Sequence, residues 1–154
     1  MLNKKRIDEY IGYAITELEG NQEIVKNGKI EKTFSSQIST FGVAVSTGSL
    51  LSAIAFFSRQ GEASVERNQL MKVIYGILKK DEKIKRIFGE YFNSVKDTEL
   101  LYQFARKLLC NDETKNHEGK DDKQNNRIRA KEFKNLVLDA AVAVKLAMNY
   151  FDMK

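Results

Sequence analysis

Catalysis needs reactive groups that converge, and this sequence spaces its reactive groups apart. Histidine occurs once, at His117, amid Asn116, Glu118 and Gly119. A single imidazole in a polar stretch reads as a solvated side chain and cannot supply the several ligands of a histidine metal site. Cys110 is the sole cysteine and ends an apolar stripe, so it reads as a buried thiol rather than a nucleophile with a base beside it. The acidic pairs Asp112–Glu113 and Asp121–Asp122 lack the spacing of a calcium loop. The stretch from Gly42 to Gly48 has two glycines, but no lysine follows the second, and its context is helical. These absences argue for a binding protein rather than an enzyme, with no cofactor, no metal and no small-molecule substrate.

The groups left are cationic. Lysine and arginine total 26 against 21 acidic residues, a formal net charge of +5. Lys79, Lys80, Lys83, Lys85 and Arg86 form the densest run, and Arg127, Arg129, Lys131 and Lys134 form another. Arg59, Arg67 and Lys72 flank the most apolar segment. Such side chains reach phosphates without reading bases, which suits contact with a nucleic-acid backbone. A solvated lysine-rich surface with local ion pairs fits the same composition.

Helices must position these groups. Ile7, Tyr10, Ile11, Ala14, Ile15 and Leu18 recur at helical spacing, and Phe34, Ile38, Phe41 and Val45 do the same in a second segment. Asn27–Gly28 reads as a turn between them, and Gly48 as a break after the second. Leu50, Leu51, Ile54, Ala55 and Phe57 make a helix apolar nearly all round, which predicts a central place in the core or cover from a partner. Gly61 would close it and Ser64 would cap the fourth helix, which carries Leu70, Val73, Ile74, Ile77 and Leu78. Shorter stripes follow at Ile84–Phe92 and Leu100–Leu109.

Residues 111–126 hold nothing apolar and predict a flexible loop. The last helix carries Phe133, Leu136, Val137, Ala140, Ala141, Val144, Ala147, Met148 and Phe151, with alanines small enough for close helix approach. No strand signal is evident. The expectation is an all-α fold, a compact bundle of six or seven helices forming one domain over 1–154. Neither a signal peptide nor a membrane span is read from the sequence, so a cytoplasmic location is expected.

Two segments resemble a known family. The first is IEKTFSSQISTFGVAVSTGSLLSAIAFF, from Ile30 to Phe57, with Phe34, Gly48, Leu50, Ala53, Ala55 and Phe56 in the family's places. The second is EFKNLVLDAAVAVKLAMNYF, from Glu132 to Phe151. Together they are similar to the small subunit of the Cmr (type III-B) CRISPR effector complexes of antiviral defence. The resemblance implies a helical subunit without nuclease activity. It would stack with copies of itself and with other Cmr subunits beside the guide and target RNA. Base pairing would read sequence and the protein would read backbone. On that reading Arg59, Arg67, Lys72, Lys79 and Lys80 are expected to line one positive groove along the RNA backbone. The competing expectation is a helical protein–protein adapter or regulator with no nucleic-acid role.

Overall fold

A computed structural model describes residues 3–58, 65–82, 84, 101–102, 105 and 119–153, except the side chains of 65, 66, 119–130, 152 and 153. Helix α1 spans Lys4–Glu19, α2 Lys32–Thr47, α3 Leu50–Phe57, α4 Val65–Lys80 and α5 Gly119–Ala147. Among the described residues these are five α-helices, where six or seven are expected over the whole chain. The stripes expected for the fifth and sixth lie largely outside the described residues, though Ile84, Leu101 and Ala105 are buried in the core. The fold is mostly helical.

Each helix starts and stops for local reasons. The Asn3 side chain accepts the Arg6 amide at 3.1 Å and caps α1. Ile7, Tyr10, Ala14 and Leu18 then form its buried face. The four apolar positions read in α2 are all buried. Gly48 ends α2, and the Ser49 hydroxyl accepts the Ser52 amide at 3.3 Å to open α3.

A small sheet corrects the expectation of no strands. Strand β1 (Val25–Lys26) pairs antiparallel with β2 (Lys29–Ile30) across Asn27–Gly28. Both turn residues have positive φ, 57° and 74°, as a two-residue primed hairpin requires. Strand β3 (Asp152–Met153) adds parallel to β2 and ties the chain beyond α5 to the hairpin. Strands of two residues are too short to show an alternating pattern.

The second half of α5, not α3, is the central post. It packs on α1, α2 and α4. Its buried alanines, Ala140, Ala141, Ala143 and Ala147, leave room for that contact on several sides. The expectation of a central α3 is therefore corrected. α3 packs on α2 and α4, burying Leu50, Ala53, Ile54 and Phe57 while Phe56 stays 46% exposed.

The loop expected at 111–126 is corrected over its second half, because residues 119–126 are the first turns of α5. Residues 111–118 lie outside the described residues. Lysine, glutamine and arginine are good helix formers, and Asp121 and Asp122 sit near the helix N-terminus, where negative charge is favoured. No described helix is long and apolar enough to cross a membrane.

Candidate nucleic-acid interface

The two sides of α4 use charge differently. On the side facing α1 and α5, charges are paired. Arg6 donates to Asp139 at 2.9 Å, with the Asp139 side chain 1% exposed. The Asn3 amide also points at that carboxylate, at 3.5 Å. Burial pushes the Asp139 carboxyl up, against the opposing pull of Arg6. The Tyr10 hydroxyl donates a short hydrogen bond to Asp81, and burial followed by that carboxylate drives the phenol far above its ordinary range. Asn21, just beyond α1, donates to Gln69 of α4 at 3.1 Å. These contacts fasten α1 and the turn after it to α5, to α4 and to Asp81 just beyond α4. None presents a free reactive pair.

Of the five expected RNA contacts, the four described ones fall in different directions. Arg59 lies outside the described residues. Lys80 turns towards α1 and pairs with Glu17 at 2.9 Å, a half-exposed bridge. Gly76 makes room for it, since a Cβ there would come within 2.5 Å of the Glu17 carboxylate. Arg67 faces α2 and α3: its Nε donates to Gln37 at 3.0 Å, and its guanidinium lies 4.8 Å from the Phe56 ring centroid. Lys72 and Lys79 are exposed and seven residues apart, so they share the outer face of α4. The Lys79 ammonium rests 5.5 Å from the centroid of the Tyr75 ring. Thus α4 presents an outer pair, Lys72 and Lys79, and a separate stacked arginine, rather than one row of five.

Sequence reasoning missed the partners that divide these cations: Gln37, Glu17, Gly76 and the ring of Phe56. One sequence signal was available. From Thr33 to Ser58 no residue is charged, in a chain 31% charged. Between 33 and 80 the cations Arg59, Arg67, Lys72, Lys79 and Lys80 meet only two carboxylates, Glu62 and Glu66. Most of the chain's positive excess is concentrated there.

A second feature borders α2. A groove of about 600 Å³ runs between α2 and α5, lined by Ile38, Gly42, Val43, Leu138 and Val142 among others. Val43 is 63% exposed beside it. Lys145 is its one exposed charged side chain.

His117, Cys110, Asp112 and Glu113 lie outside the described residues. Asp121 and Asp122 lie in the first turn of α5. No group of three or more metal-ligating side chains occurs among the described residues. The stretch from Gly42 to Gly48 is the end of α2 and its cap. No family model, curated protein or solved structure matches the chain.

Proposed function

We propose that this protein is a non-catalytic small subunit of a type III-B (Cmr) CRISPR RNA-guided effector complex, meeting other Cmr subunits and copies of itself and contacting guide and target RNA. The observation that carries this reading is the packing of α2 on α5. These helices belong to the two segments of the resemblance, which are far apart in sequence, and the fold makes one face of them. On the outer face of α4, Lys72 and Lys79 supply the sequence-independent phosphate contacts such a subunit needs. Purification of the tagged protein from its native host, with sequencing of the RNA that accompanies it, tests the reading. Guide RNAs and the larger Cmr subunits are the expected company. Recovery of a protein partner with no RNA would overturn it.

The runner-up is a helical adapter that binds protein only, and the α2–α5 groove is the observation that favours it. A concave, largely apolar surface with exposed Val43, and with Lys145 as its one exposed charge, is suited to an apolar partner segment. The same purification separates the two.

A further inference from the structure

We propose that Phe56 and Arg67 form a stacking site for an unpaired base of single-stranded RNA. This inference rests on the RNA-binding reading above and adds a second kind of contact to it.

The geometry starts from two adjacent phenylalanines in α3. Phe57 is 1% exposed and packs edge-on against Phe41 of α2, with centroids 5.1 Å apart and planes at 70°. Phe56 meets Phe57 in the same manner, at 5.5 Å and 70°, but remains 46% exposed. One side of its ring faces the Arg67 guanidinium, which Gln37 holds through Nε. The ring is therefore held by Phe57 within α3 and by Arg67 of α4, yet nearly half of it reaches solvent.

An exposed phenylalanine alone needs no explanation. Three surroundings make this one a base platform. A guanidinium and an aromatic ring are both planar surfaces on which bases stack, and they lie against each other here. A guanidinium has five N–H donors, of which Nε goes to Gln37, and its charge attracts the phosphate adjoining a stacked base. The helices α2 and α3 bring no carboxylate to the neighbourhood to repel that phosphate. Stacking accepts every base, so the site adds affinity without sequence preference. Watson–Crick duplex bases are already stacked, so the site selects single strands.

Arg67 lies roughly 140° around α4 from Lys72, at 3.6 residues per turn, so the stacking site and the lysine face are separable by mutation. The test uses the full chain at low salt with a labelled oligouridylate and a duplex of equal length. Phe56→Leu keeps bulk and apolarity but removes the ring. It should weaken oligouridylate binding about tenfold while leaving the salt slope unchanged. The chain has no tryptophan, so Phe56→Trp places a single reporter at the site. Its emission should be quenched saturably by oligouridylate and left unchanged by the duplex. If wild type and Phe56→Leu bind oligouridylate equally, and the Phe56→Trp emission does not respond, the stacking site is refuted while RNA binding stands. If the wild-type chain binds no RNA at low salt, both the stacking site and RNA contact by the free subunit are refuted.

Discussion

The side of the bundle where α1 and α4 meet α5 and the side where α3 and α4 meet α2 are built from similar residues, yet they use charge in opposite ways. On the first, Arg6 and Asp139, Lys80 and Glu17, and Tyr10 and Asp81 are matched across helices. On the second, Arg67 is held by an amide and two rings, while on the outer face of α4 Lys79 rests on a ring. A matched charge holds helices together. A cation held by neutral groups keeps its attraction for an anion from outside. The same type of side chain thus serves the fold on one side and, on the proposed reading, a ligand on the other.

Mutations that break this comparison should differ in size. The largest effect is expected inside the core both sides share. Ile54 is fully buried, and Ile54→Asp leaves an unpaired carboxylate costing several kcal/mol against a total stability of about 5–15 kcal/mol. Soluble expression should fail, and a soluble mutant with cooperative melting would contradict the packing of α3.

Next comes the buried pair. Asp139→Ala strands Arg6, whose side chain is 15% exposed, and should cost about 3 kcal/mol in urea unfolding. Because burial works against the charged Asp139, the double replacement Arg6→Met with Asp139→Leu should recover most of that loss. A double mutant as unstable as the single would show that the pair's charge itself holds α1 to α5.

A smaller effect is expected at the aromatic corner. Phe56→Leu loses an edge-on ring contact and a cation–π contact, together about 1 kcal/mol at a half-exposed site. Smallest of all is Gly76→Ala. The new methyl displaces the Glu17 carboxylate from Lys80, while alanine improves the helix by about 0.5–1 kcal/mol, so the melting temperature should barely move.

Sequence alone reached the helices that carry a single apolar stripe. The expected stripe of α2 is buried in full, and Asn27–Gly28 forms the turn its residue types require. It misplaced α3 because an apolar pattern records how many faces avoid water, not whether a short helix has neighbours to cover them. It read the polar start of α5 as loop because helix propensity without periodicity leaves no stripe. Asp139 was legible in principle, since a lone acid within Leu136–Val144 must find a partner, but Arg6 lies far away in sequence. The four described residues of the expected basic row, Arg67, Lys72, Lys79 and Lys80, do not share one face for the same reason. Their partners, Gln37 and Glu17, sit on other helices.

The central claim is that the outer cations of α4 serve RNA and not the fold. Filter binding of single-stranded RNA across a salt series, with melting curves in parallel, tests it on the double mutant Lys72→Glu with Lys79→Glu. RNA affinity should fall, and the salt slope of wild type should shrink by about 1.4 for two lost phosphate contacts, while stability stays within about 0.5 kcal/mol. Unchanged affinity and slope in a folded double mutant would contradict the account.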